Sequence, residues 1–300
     1  MIRGIIDIGT NSVRLLVAER LGPGEWRTIL KKLKSTRLGE GMTGKADITE
    51  AARARTLEAV REFAVAARMD GADEIFGYGT SIMRDAPQGK AFAEEIKKAT
   101  GVSVRILRGE EEAFYSYIGA AGLSNVVNAV ADIGGGSTEI CMGFGTDIGY
   151  RVSFPLGCVR CSCQFDVTTT RGLAELKKHC FDVFKEAEDA EAVKRWICVG
   201  GTATTMAAML QNMTEYDPKK IQDYVLHQEA VENLLKKLYT MSYEDRCHLK
   251  GLRPDRADII VAGVAILDSL MEYFALSEIT VSDRDLVEGL LDADVTAPKQ

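Results

Sequence analysis

The chain is poor in the residues that build the commonest hydrolytic centres and secreted folds. It has three histidines, set far apart, which gives a serine–histidine–aspartate triad little support. No apolar run approaches the length of a membrane-spanning helix. The amino terminus enters an apolar segment almost at once, without a signal-peptide pattern, so a cytoplasmic protein with no membrane partner is expected. Seven cysteines cannot all pair, and their scatter fits reduced thiols. Positive charge is in deficit: 37 Lys and Arg against 44 Asp and Glu leave a formal charge of −7. That argues against a nucleic-acid partner. An anionic small substrate stays open, provided the site brings its own cations or a metal. Prolines number only 6 in 300 residues that are 46% apolar, enough for one large or two ordinary domains with buried cores. No low-complexity linker divides them.

One motif occurs twice. "IIDIGTNSVRLLV" opens the chain and "ADIGGGSTEIC" starts at Ala131, so Asp7 and Asp132 stand 125 positions apart (132 minus 7). Apolar, β-prone segments flank each copy: Ile5, Ile6 and Val13–Val17 around the first, Val126–Ala131 and Ile140 around the second. This is strand–turn–strand, not the strand–turn–helix of a dinucleotide fingerprint. Glycines let backbone amides approach a phosphate, and successive amides in a turn make an anion nest. Gly9, Thr10, Asn11 and Ser12 in one hairpin and Gly134, Gly135, Gly136 and Ser137 in the other are candidate phosphate-binding residues. A carboxylate facing phosphates repels them unless a cation lies between, so Asp7 and Asp132 are candidate ligands of Mg²⁺, directly or through water. Glycine turns are common in ordinary sheets; two at the starts of two similar halves point to a cleft that grips phosphates from both sides.

The surrounding pattern supports a duplication. Strands are expected at Gly4–Asp7, Val13–Arg20 and about Arg27–Leu33, then a loop over Glu40–Asp47 and a helix from Thr49. "EIFGYGTSIMRDA" reads as a short strand ending in a turn, and "GKAFAEEIKKATG" as a helix stopped by Gly101. An acidic-started helix, "RGEEEAFYSYIGAAG", precedes a restart near Asn125. The second half repeats strand, turn and two strands. "LAELKKHCFDVFKEAEDA" follows as a helix, then strand "RWICVGG" and helix "TATTMAAML". "ADIIVAGVAILDSLMEYF" reads as a buried or interface helix, and a last helix begins near Asp285. The expected class is α/β: one domain over residues 1–122, a second over 123–286, and the C-terminal helix, about 287–300, a candidate to join the first. Gly200, Gly201 and Thr202 lie where a strand meets a helix amino terminus. That place suits an anion, and a threonine-capped connection explains it equally.

With these motifs in hand, the chain resembles the exopolyphosphatase / guanosine pentaphosphate phosphohydrolase family of the actin–hexokinase–Hsp70 superfamily. "DIGTNSVRLLV", "RLGEGM", "TSIMRDA", "RGEEEA", "DIGGGSTE", "PLGCVR", "GGTATT", "YDPKKI", "RADIIVAGVAIL" and "SDRDLVEGLL" occur in the family's order. The resemblance implies duplicated actin-like (ribonuclease H-like) domains around an interdomain cleft, in the short two-domain form. It implies Mg²⁺-dependent hydrolysis of terminal phosphoanhydrides, with polyphosphate or guanosine penta- or tetraphosphate as partner, and a homodimer fits by analogy. The family's catalytic glutamate matches Glu112, which alone in its first turn would otherwise read as complementing the helix dipole. The family places Glu139 in the site as well. Arg14 and Arg256 match positions associated with the anionic substrate, and Arg84 lies in a shared motif. Lys31, Lys32, Lys34 and Arg37 read as a basic track or a solvated strand edge.

Two departures stand out. Asp285 and Val287 occupy places where the family often has glycine and arginine. Cys158, Cys161 and Cys163 lie close together, and without a second CxxC pair they read as small buried or half-buried strand residues rather than a zinc site. Three rivals accompany the exopolyphosphatase reading: guanosine pentaphosphate hydrolysis, a kinase of the same superfamily, and a sensor that binds polyphosphate or alarmone without turnover.

Overall fold

The structure, a computed structural model, describes residues 1–42, 46–122, 124–187, 193 and 195–292. The expected loop at 40–47 and the tails of the helices expected to reach residues 190 and 300 fall partly outside these residues.

Strands β1 (Ile2–Ile8), β2 (Ser12–Gly22) and β3 (Glu25–Ser35) form an antiparallel meander. β4 (Glu74–Gly79) and β5 (Val104–Ile106) add in parallel on the other side of β1, giving the order β3-β2-β1-β4-β5. The second half builds β6 (Asn128–Ile133), β7 (Thr138–Phe144), β8 (Asp147–Phe154), β9 (Trp196–Val199), β10 (Val225–His227) and β11 (Glu278–Val281). Its order, β8-β7-β6-β9-β11-β10, repeats the first sheet strand for strand, with β10 added antiparallel at the edge. The central strands read as near-continuous apolar runs because both faces are covered: β6 is buried along its whole length. β3 is an edge, and its lysines keep it solvated.

Twelve α-helices occur among the described residues: α1 (Glu50–Met69), α2 (Ser81–Asp85), α3 (Gly89–Thr100), α4 (Gly109–Ala121), α5 (Cys158–Gln164), α6 (Thr170–Phe184), α7 (Gly200–Leu210), α8 (Pro218–Ile221), α9 (Gln228–Thr240), α10 (Tyr243–Cys247), α11 (Ile260–Tyr273) and α12 (Leu286–Gly289). None is long and apolar enough to cross a membrane. The Thr49 hydroxyl caps α1 by accepting from Ala52 N at 3.2 Å. Ala52, Thr56, Ala59, Val60, Phe63 and Ala67 then recur on its buried face. α11 is buried from Ile260 to Met271, which makes it the central core helix of the second half.

Two local expectations are corrected. "TSIMRDA" is not a turn but helix α2, one turn too short to show a period in sequence. The Cys158–Cys163 stretch is helical, not a strand. Its first-turn amides find acceptors on the second glycine hairpin: Cys158 N donates to Gly134 O at 3.0 Å, and Val159 N to Gly135 O at 2.8 Å. An orphan helix start satisfied by a tertiary neighbour leaves no local signal. α4 packs on β6, β7 and β8 and on α12. Leu286, Val287 and Leu290 pack in turn with Ile5 and Leu16 of the first sheet, so Val287 is a core residue.

Candidate active site

The two hairpins are copies at atomic detail. Gly9 N donates to Ser12 O at 3.0 Å, and Gly134 N to Ser137 O at 3.0 Å. Register places Asp7 opposite Arg14 in one and Asp132 opposite Glu139 in the other. The tips meet: a Cβ on Gly136 would stand 2.7 Å from Thr10 Oγ1 and overlap Ser81 Oγ. Only a bare backbone fits, and the hydroxyls of Thr10 and Ser81 are buried there without a partner. Between the hairpins opens a cleft of about 710 Å³. All the candidate residues line it except Arg84, Glu139 and Thr202.

Its electrostatics are dominated by carboxyl groups. Asp7 is 2% exposed; its Oδ2 accepts from Arg14 Nε at 2.9 Å, while Oδ1 is buried with no partner. Burial raises its pKa, with Arg14 pulling the other way. Asp132 Oδ2 accepts from Ser116 Oγ at 2.7 Å, and burial, then Asp285, pushes its pKa to about 6. Glu112 Oε2 accepts from Arg84 Nη1 at 2.9 Å, yet burial outweighs that arginine and lifts Glu112 to about 7. Glu139, 1% exposed, accepts from Ser153 Oγ at 2.6 Å; burial, then Glu112, holds its pKa far above the carboxylate range. Glu139 thus stands behind the cleft wall, where burial disfavours its charged form.

The cations divide by how much of their charge is free. Arg14 is locked between Asp7 and Asp285. Burial opposes its charge, but Asp285 and Asp7 outweigh it and raise its pKa. Arg84 backs Glu112 and also donates to Leu107 O at 3.2 Å. Arg256 differs. Its guanidinium covers the third turn, where a Cβ on Gly201 would come within 2.8 Å of Arg256 Cζ. Its Nε is buried with no partner, and burial lowers its pKa. A buried cation of this kind is costly while it lacks an anionic partner. Thr202 is buried against Cys158 and Gly263 rather than facing the cleft, whereas Thr204 and Thr205 line it.

Lys31 and Lys32 of the expected basic track reach the lining, Lys34 pairs instead with Glu62 at 2.7 Å, and Arg37 pairs with Asp258. Asp285 caps α12, accepting from Val287 N at 3.2 Å. Ser116, Ser153, Asp283 and Tyr216 were not anticipated. Ser116 had a signal: it lies four residues after Glu112, on the same face of α4. The others are joined to the site only by the fold.

The Ppx/GppA phosphatase family model matches residues 17–297. The chain belongs to that family. Exopolyphosphatase 2 of Mycobacterium tuberculosis is 30% identical over 95% of this chain and 96% of its own. A guanosine-5'-triphosphate,3'-diphosphate pyrophosphatase of Aeromonas hydrophila is 28% identical over 95% of this chain and 58% of its own. Among solved structures, the Aquifex aeolicus Ppx/GppA family member superposes with a TM-score of 0.83 at 27% identity, covering 100% of this chain and 99% of that one. An exopolyphosphatase from Cytophaga hutchinsonii gives 0.90 at 25% identity over 100% and 99%. The paired, strand-for-strand sheets are thus the actin-like two-domain fold of Ppx/GppA proteins, and the protein is an enzyme of a phosphatase family.

Proposed function

We propose that this Ppx/GppA phosphatase is an exopolyphosphatase, hydrolysing the terminal phosphoanhydride of inorganic polyphosphate and releasing phosphate. The observation that carries the reading is Glu112: a buried carboxyl raised to about 7 at the wall of a cleft lined by both glycine hairpins. A base poised near neutral pH is what activating water requires. Glu112 takes a proton from water as the oxygen attacks the terminal phosphorus; the anhydride bond breaks, and the shortened chain leaves as an anion. Arg84 holds the carboxylate in place at 2.9 Å. The hairpin amides and Arg256 hold phosphate oxygens and oppose the charge that develops on them.

Asp7 and Asp132 suit Mg²⁺. Asp7 keeps a buried, partnerless oxygen, and the carboxylates around it outnumber the nearby arginines. Among the described residues no three His, Cys, Asp or Glu side chains converge as a closed cage, so phosphates and waters would complete the shell, as Mg²⁺ prefers. Bound there, the ion would offset the repulsion between carboxylates and phosphates.

Guanosine pentaphosphate is the second reading. The cleft lining also includes the apolar side chains of Ala208, Met213, Leu252 and Pro254, which suit a nucleoside attached to the phosphate chain. Phosphate release with Mg²⁺ from long polyphosphate and from guanosine pentaphosphate, alongside Glu112→Gln, separates the two. Release from polyphosphate that collapses in the variant supports the proposal; release from the nucleotide alone moves the substrate; silence on both leaves a sensor.

A further inference from the structure

Arg37 carries two unusual features at one residue. Its backbone is left-handed, with φ 53°, a conformation an arginine adopts reluctantly because its side chain offers no local hydrogen bond in exchange. Its amide donates to Asn11 O at 2.8 Å, beside Thr36 N to the same oxygen at 3.1 Å and Gly39 N to Thr10 O at 2.9 Å. The tip of the first hairpin therefore hangs from the 36–39 segment. From the same residue the guanidinium crosses to the other half of the molecule and pairs with Asp258. Asp258 lies two positions after Arg256, in the turn where Ile259 N donates to Arg256 O at 3.1 Å ahead of α11. A second, weaker bridge joins the same two segments, from Arg253 Nη2 to Ser35 Oγ at 3.5 Å.

We infer that the Arg37–Asp258 pair is a clasp that sets the first glycine hairpin in register with Arg256. The inference rests on reading those two elements as grips on one phosphate chain. They come from opposite halves: the tip of the first hairpin meets Gly135 and Gly136 of the second, and the Arg37–Asp258 pair ties the segment that carries that tip to the turn that carries Arg256. The strained backbone of Arg37 aims its amide at the hairpin while its side chain reaches Asp258, so one residue transmits position from one half to the other. Strain of this kind persists where surrounding contacts over-determine it. A partly exposed ion pair adds little to stability; here its role is geometric, and Arg37 is a positioning residue.

The test is a double-mutant cycle of Arg37→Gly and Asp258→Ala, with the charge swap Arg37→Asp/Asp258→Arg. Glycine suits the left-handed backbone, so loss of the side chain is separated from misfolding. Two readouts are taken: tripolyphosphate binding by calorimetry, and amide exchange over residues 9–12 and 36–39 without ligand. Each single variant should weaken binding about two- to fivefold, the span of a partly exposed pair. The double variant should be no worse than a single one, the swap should recover most of the affinity, and exchange should quicken in the singles. Additive losses, wild-type affinity in both singles, or unchanged exchange would each overturn the clasp. If the parent binds guanosine pentaphosphate but no tripolyphosphate, the polyphosphate reading fails by itself; the nucleotide then replaces the probe, and the exchange readout decides as before.

Discussion

Replacing Glu112 by glutamine should stop turnover and at the same time make the folded protein more stable, by an amount that grows with pH. Burial lifts this carboxyl from its ordinary 4.5 to about 7 even with Arg84 donating to it. The folded protein therefore keeps a proton that the unfolded chain releases. Stability is fully present below pH 4.5 and is lost as the pH climbs toward 7, where ionising Glu112 must be done inside the protein. Glutamine has the same shape, accepts from Arg84 and never ionises. The variant's advantage should be negligible at pH 4, about 1 kcal/mol at pH 5 and about 3 kcal/mol at pH 7. Urea unfolding of both proteins at these three pH values, in chelator and without phosphate, reads the difference directly. A variant less stable than the parent at pH 7, or a gap that does not change with pH, would refute the reasoning. The same burial that costs stability at pH 7 is what would let the group act as a base near neutrality under the proposed function.

Arg84→Ala removes the cation that keeps Glu112 from rising further, so its pKa should climb by about one to three pH units. At pH 7 kcat/KM should fall about 5- to 500-fold and recover as the pH rises; a loss that is flat with pH would place Arg84 on the substrate instead. Gly136→Ala sets a methyl group 2.7 Å from Thr10 Oγ1 and should wedge the hairpin tips apart. KM for polyphosphate should rise about tenfold or more while the melting temperature moves little, and an unchanged KM would show that the tips do not hold phosphate. Asp285→Asn takes one of the two carboxylates off Arg14 and should lower KM about two- to fivefold in dilute buffer. That gain should shrink in 0.5 M salt, and a higher KM would instead make Asp285 part of the substrate grip.

Much of the site was legible in the sequence because its chemistry is local. A hairpin of Asp-Ile-Gly and small polar residues specifies its own turn, and Asp7 and Asp132 lie in matching places because the same short pattern was written twice. The sequence of strands and helices along each half followed from alternating apolar segments and capped helices, with Thr49 and Gly101 marking boundaries where they were expected. What the helices of one turn would do was not legible. Ser81–Asp85 is too short to show a period, and Cys158–Gln164 begins on carbonyls that belong to the second hairpin.

The roles of the charged residues were decided only by the fold. Arg14 reads in sequence as a free cation beside a phosphate turn. In the folded chain, Asp285 arrives from 271 positions away and holds it. Arg84 and Arg37 likewise end on Glu112 and Asp258 rather than on solvent. Arg256 keeps a partnerless Nε because, among the described residues, no carboxylate is brought to that atom. A residue's type determines what charge it can carry, but its pKa and its freedom to meet a ligand depend on which distant groups share its burial. For this protein the sequence alone determined the two glycine hairpins and the acidic helix between them. Tertiary packing determined which carboxyl would be poised near neutral pH and which arginine would keep a partnerless nitrogen, because desolvation and long-range pairing exist only once the chain has folded.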